Sequence, residues 1–241
     1  MIDAHCHIDL YQNPRGILEF CEINRVTVLA MTNLPSHFEL GLPHVRNYKR
    51  VRLSLGMHPL YASSFDDEFD RFLSNLHRTS YIGEIGLDFS REGYRTKDLQ
   101  LFFFRKILES ISNQPKILSI HSRRAEKRVL EELVFHKVRL AVFHWYSGPL
   151  SLIEEICERG YYFSINPAMI ISDTGRKIIA NISQTKILTE SDGPFIQVDN
   201  RQVLPSDTKL VIEFLSAQWG ISFLEANKIV SSNFKTLISM L

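Results

Sequence analysis

Short β-branched or aliphatic runs recur eight times along this chain, interleaved with longer segments of helical spacing, and no other feature constrains its fold as strongly. The runs are Ile2–His7, Val26–Met31, Val51–Leu55, Tyr81–Ile85, Ile117–His121, Leu140–His144, Tyr161–Ile165 and Lys186–Thr189. Helical spacing marks Gly16–Ile23, Asp66–Leu76, Thr96–Ser112, Ala125–Phe135 and Leu150–Glu158, and two further helices, Ser206–Trp219 and Ser222–Leu241, close the chain. A β-then-α alternation of this kind predicts parallel strands. The pattern is weakest at Ser172–Ile182, where Ser172 or Asp173 offers a cap but Gly175 blurs the boundaries. Eight units without a linker or an internal repeat predict a closed (β/α)₈ barrel rather than an open doubly wound sheet. The 241 residues are close to the roughly 250 typical of that barrel, so residues 1–241 are expected to form one domain.

Charge and cysteine content narrow the function. Lys plus Arg number 28 against 27 Asp plus Glu, for a net charge of +1. No global field exists to hold a polyanion, so any nucleic-acid contact must be local. No apolar run is long enough to span a bilayer, and Met1-Ile2-Asp3-Ala4-His5 lacks a basic-then-apolar signal region, so the expectation is a cytoplasmic protein with no membrane partner. The three cysteines, Cys6, Cys21 and Cys157, form no Cys-x-x-Cys pair and read as reduced packing thiols. Strand alternation turns Cys6 away from His5 and His7.

Residues with metal-ligand chemistry sit at the C-terminal ends of the expected strands. His5 and His7 end the first run, His58 follows the third, Glu84 ends the fourth, His121 the fifth and His144 the sixth, and Asp192 follows the eighth. In a parallel barrel those ends meet on the face where barrel enzymes build their sites. Residues i and i+2 of a strand share a side, so His5-Cys6-His7 offers two imidazoles to one ion. Neutral imidazoles plus carboxylates suit divalent metals, and a carboxylate can bridge two of them. The remaining histidines, His37, His44, His77 and His136, fall on helical segments or their flanks and read as surface residues. Beyond His121 lie Arg123, Arg124, Lys127 and Arg128. Arg123 is placed to hold a phosphate; the others read equally well as the solvated first turn of a helix.

The stretches DAHCHID (Asp3–Asp9), GMHP (Gly56–Pro59), IGEIGLDF (Ile82–Phe89), HSRRA (His121–Ala125), HWYSG (His144–Gly148) and TESDGPF (Thr189–Phe195) together resemble the TatD-type metal-dependent deoxyribonucleases of the amidohydrolase superfamily. The resemblance runs from end to end of the chain. It implies two divalent ions (magnesium, manganese or zinc), one held by His5, His7, Glu84 and Asp192, with Glu84 bridging to a second held by His121 and His144. His58 would face substrate, either touching an ion itself or standing just behind the residues that do. Asn233 matches a late asparagine of structural character. The segment Gln197–Pro205 departs from the basic motif usual after the eighth strand, which leaves the natural substrate open. Trp145-Tyr146 replaces a usual Cys-Phe, so Trp145 either stacks on a base or fills the pocket wall. The compact, divergent form also suggests the QatD-like branch of multi-gene phage-defence systems, with co-encoded defence proteins as partners.

What the resemblance implies is hydrolysis of DNA phosphodiester bonds, on single-stranded or 3′-ended DNA engaged locally at strand ends. Asp192 would take the proton of the attacking water, with Glu84 and His58 completing the catalytic set. Two other readings compete: a metallohydrolase of a small-molecule amide or ester, with the same ligands under different loops, and a weakly active nucleic-acid or partner-binding module of a defence complex.

Overall fold

The structure is a computed structural model that describes Met1–Leu241. Its strands are β1 (Ile2–Cys6), β2 (Thr27–Ala30), β3 (Val51–Leu53), β4 (Leu55–Met57), β5 (Tyr81–Gly86), β6 (Ile117–His121), β7 (Ala141–His144), β8 (Tyr162–Ile165) and β9 (Ile187–Thr189). All pair in parallel, β1 to β3 in one arc and β4 to β9 in another. The single run expected at Val51–Leu55 is divided at Ser54, so β3 and β4 are two halves of one bent strand, and the ring has eight positions. Thr32 explains the bend. Its hydroxyl donates to Ser54 O at 2.9 Å and accepts from Gly56 N at 3.1 Å, and a Cβ on Gly56 would stand 1.6 Å from Thr32 O. Only glycine permits that approach.

At the other seam no ladder forms, but discrete bonds join β9 to β1. Thr189 Oγ1 donates to Ile2 O at 2.6 Å, Asp192 N to His5 O at 2.9 Å, and His7 N to Gly193 O at 2.8 Å. The (β/α)₈ barrel is thus stitched shut at the strand ends that carry the ligand residues.

The helices are α1 (Pro14–Ile23), α2 (Pro35–Val45), α3 (Phe65–Asn75), α4 (Lys97–Ser110), α5 (Glu126–Phe135), α6 (Ile153–Glu158), α7 (Pro167–Ile171), α8 (Asp173–Asn181), α9 (Thr208–Trp219) and α10 (Phe223–Ile238). Helix α2 carries His37 and His44, in keeping with their reading as residues of helical segments, and Pro43 lies inside it and blurs its bounds in the sequence. In the weak region two helices appear. Ser172 caps α8 by accepting from Gly175 N at 3.0 Å, and a Cβ on Gly175 would lie 2.2 Å from Met169 O. The glycine that blurs the pattern is what lets α7 and α8 touch. No helix is long and apolar enough to cross a membrane.

The larger core lies between strands and helices, with Phe38, Phe72, Phe103, Phe104 and Ile107 packed on the outward faces of the barrel. A smaller cluster joins Leu29, Met31, Ile117, Val142, Tyr162 and Leu188 to Phe234 and Leu237 of α10. Asn233 fastens α10 there by donating to Gln184 O at 2.7 Å and Ile187 O at 2.8 Å, so this helix covers the N-terminal end of β9, opposite the ligand face. His136 departs from the surface reading. Its side chain is 8% exposed and packs 3.6 Å from Glu132, a buried carboxylate that also pairs with Arg105 and Arg128.

Candidate metal centre

Glu84, on β5, is the hub. Its carboxylate is almost wholly buried, and five imidazoles from four other strand ends surround it. Glu84 Oε2 lies 3.5 Å from His5 Nε2, 3.2 Å from His7 Nε2 and 3.4 Å from His58 Nε2. Glu84 Oε1 lies 2.6 Å from His121 Nδ1 and 3.1 Å from His144 Nε2. The two oxygens therefore serve two different sets of histidines. Asp192 completes the first set, with Oδ1 3.7 Å from His5 Nε2.

The donor atoms fit divalent cations. Ligand distances of about 2.0–2.2 Å place the donors of one ion roughly 3–3.5 Å apart, and His5 Nε2 and His7 Nε2 are 3.2 Å apart. Three groups, His5–His7–Glu84, His5–His144–Asp192 and His58–Glu84–His121, each bring their ligand atoms within 4.8 Å of one another. Of the two positions open to His58, its place within the ligand cluster fits direct contact with an ion. His5 and His144 also stack, with ring centroids 3.8 Å apart, which turns both Nε2 atoms inward.

Burial and charge act against each other here. Burial raises the Glu84 carboxyl, yet His58, His144 and His121 outweigh it and hold the group well below the usual carboxylate range. Burial pushes Asp192 up to about 7 and drives His5 and His58 down. For His121 and His144 burial also pulls downward, but carboxylates win: Asp88 and Glu84 raise His121, and Glu84 and Glu190 raise His144. Desolvation favours the neutral imidazole at His5 and His58, the protonation state that a cation requires, whereas at His121 and His144 a bound cation would have to displace a proton that the carboxylates hold.

Several residues of the centre carry no signal of their own in the strand-end pattern. Asp88 Oδ2 stands 2.8 Å from His121 Nε2 and fixes that ring from behind, as carboxylates behind metal-bound histidines do. Glu190 does the same more loosely for His144, 3.4 Å from Nδ1. It is itself held by Trp145 N at 3.0 Å, Asn166 Nδ2 at 2.9 Å and the Ser164 hydroxyl. Asp3 accepts from Ser191 N and Oγ at 2.9 and 2.6 Å, which presents Asp192 on a left-handed backbone at φ 48°. Both Asp88 and Glu190 lie inside motifs already singled out, so their residue type was the available signal. Asn33 and Asn166 follow β2 and β8, the two strands to which no chemistry was assigned.

Above the centre opens a cavity of about 1120 Å³ that includes His7, His58, Glu84, His121, His144 and Asp192 in its lining. Arg123 and Trp145 lie on its wall. Arg123 is exposed and forms no ion pair, whereas Arg128 is engaged by Glu132. Trp145 is 38% exposed, at φ 37°. Cys6 faces the other way: its thiol lies near Gly193 O and the Tyr11 hydroxyl, outside the ligand cluster.

A family profile described as "TatD related DNase" matches residues 2–239. Among curated proteins, human Deoxyribonuclease TATDN3 is 26% identical over 97% of this chain and 92% of its own length. The uncharacterized metal-dependent hydrolase MJ1582 of Methanocaldococcus jannaschii is 25% identical over 96% of this chain and 94% of its own. Among solved structures, the TatD homolog YJJV of Escherichia coli superposes with a TM-score of 0.88 at 23% identity, covering 98% of this chain and 97% of the other.

Proposed function

The chain belongs to the TatD-related DNase family and is by that membership a metal-dependent deoxyribonuclease, and from that premise we propose that it trims single-stranded or 3′-ended DNA with two divalent ions held at the Glu84 centre. The observation that carries the reading is the division of Glu84: Oε2 toward His5 and His7, Oε1 toward His121 and His144. A carboxylate shared in that way is a bridge between two sites. In this reading Asp192 joins the first set, and the ions are magnesium, manganese or zinc.

When bound, the ions would polarise the phosphate, make a water nucleophilic and stabilise charge in the transition state. The chain's own residues supply the rest. Glu84 keeps the two histidine sets at a fixed separation, and Asp88 and Glu190 hold the rings of His121 and His144. Asp192 is placed to accept the proton of the attacking water. His58, beside Glu84 Oε2, lines the cavity where the leaving oxygen would stand. Arg123 supplies an unpaired guanidinium for a neighbouring phosphate, and Trp145 an aromatic face on the same wall. The absence of a broad basic surface favours strand ends over duplex.

We place the enzyme in the cytoplasm, as one domain spanning 1–241. The segment after β9 supports a specialised role of the kind found in phage-defence systems. It forms a short hairpin, β10 (Gln197–Val198) and β11 (Arg201–Gln202), with an exposed edge available to a co-encoded protein.

The test is purified protein with each of the three metals against end-labelled single-stranded, 3′-overhanging and blunt DNA. Cleavage should be strongest on single strands and frayed ends. Preference for blunt duplex would overturn the end-directed reading, and an absence of cleavage with every metal would overturn the nuclease.

A further inference from the structure

The wall of the cavity opposite Arg123 and Trp145 has no part in the chemistry above, yet it carries two exposed aromatic rings. Phe195, which follows Asp192 and Pro194, is 59% exposed and meets the His7 ring edge-to-face at 5.2 Å. Tyr61 is 42% exposed and meets the His58 ring edge-to-face at 6.0 Å. His7 and His58 both converge on Glu84 Oε2, so the two aromatics flank one reacting centre from two strand ends. Exposed aromatics lining a polar cavity forgo the burial that ordinarily justifies them. An edge-to-face contact occupies at most one face of each ring, so each aromatic keeps a face for a ligand.

A third residue belongs with them. Asn33 is 4% exposed, lines the same cavity and makes no side-chain hydrogen bond within the protein. Its backbone carbonyl accepts from His58 N at 2.9 Å, and Tyr61 N in turn donates to His58 O at 2.9 Å. Asn33, His58 and Tyr61 are therefore held as one unit. A buried amide with donors and an acceptor turned into an open cavity is ready for a ligand with a matching polar edge.

We propose that Tyr61, Phe195 and Asn33 form a nucleobase subsite, which takes the unpaired base next to the scissile phosphate while Arg123 holds a phosphate across the cavity. The aromatic faces stack on the base and Asn33 hydrogen-bonds to its edge. A paired base cannot enter, because its partner occupies its hydrogen-bonding edge and at least one of its faces is stacked on the next pair. The preference for unpaired ends then has a local structural origin, beyond weak electrostatics. This inference rests on the deoxyribonuclease reading.

The experiment compares oligonucleotides that end in a normal nucleotide with the same strands ending in an abasic one, using the metal-loaded wild type and Phe195→Ala, Tyr61→Ala and Asn33→Ala. One base–aromatic stack corresponds to roughly 5- to 150-fold in kcat/KM, so the wild type should lose a factor in that range on the abasic strand. In Phe195→Ala the ratio between the two substrates should fall toward one, with metal content unchanged. A terminal 2-aminopurine next to a phosphorothioate linkage gives a second readout: its fluorescence should be quenched on binding to wild type and less so in Phe195→Ala. Equal wild-type rates on both substrates, or a variant that slows both alike, would overturn the subsite and leave the nuclease standing. No cleavage of either substrate by wild type would overturn both.

Discussion

At the scale of single residues the centre turns on two carboxylates with different duties. Glu84 touches both histidine sets, so Glu84→Ala should remove most of the bound metal from the protein, as read by elemental analysis of the dialysed variant. Unchanged metal content would take Glu84 out of the bridging position. Asp192 should behave differently. Its backbone sits at φ 48°, a conformation that asparagine tolerates as readily as aspartate, so Asp192→Asn should fold and still offer the ion an oxygen. It cannot accept a proton, and positioned proton transfer is worth about 10²–10⁴-fold in rate. We expect turnover per bound metal to fall by that order, with metal content measured on the same sample. A loss within about threefold would shift the base to a histidine such as His58.

At the scale of elements, one ion pair holds the hairpin of β10 and β11. Arg201 Nη1 and Nη2 reach the Asp207 carboxylate at 2.7 and 2.9 Å, and Leu204 N donates to it at 2.8 Å. Burial pushes the Asp207 carboxyl up, but Arg201 and the Leu204 amide outweigh it and hold it below the usual carboxylate range. A group with a depressed folded-state value stabilises the fold above its unfolded value and loses that contribution as pH falls through the folded one. The melting temperature of wild type should therefore exceed that of Asp207→Asn by a constant margin above about pH 5, closing as the pH falls through and below the usual carboxylate range. A margin that persists into strong acid would show that the hairpin is held by its packing alone.

At the scale of the whole molecule, the ligand residues also close the ring, since Asp192 N and His7 N make two of the bonds between the end of β9 and the end of β1. An ion bound across that seam should tie the barrel together. Removing metal with a chelator should lower the melting temperature, and restoring it at about 100 times its dissociation constant should return on the order of 2.7 kcal/mol. Identical melting curves with and without metal would separate the centre from the seam. The alternation of aliphatic runs and helical segments was legible because strand and helix periodicities are local, and so were His5, His7, Glu84, His121, His144 and Asp192, because a parallel barrel brings its strand ends to one face. The bounds of helix α2 are blurred by Pro43, whose local cost is outweighed by the burial of Phe38 against the barrel. By itself, then, the sequence determined the barrel and which side chains stand at its rim. Tertiary structure alone decided which oxygen of Glu84 faces which histidines, that Asp88 and Glu190 stand behind two of those rings, and that Asn33, Tyr61 and Phe195 share one wall. Those relations join residues distant along the chain through orientations set by packing; strand alternation tells one face from the other, as at Cys6, but not which atoms meet across the barrel.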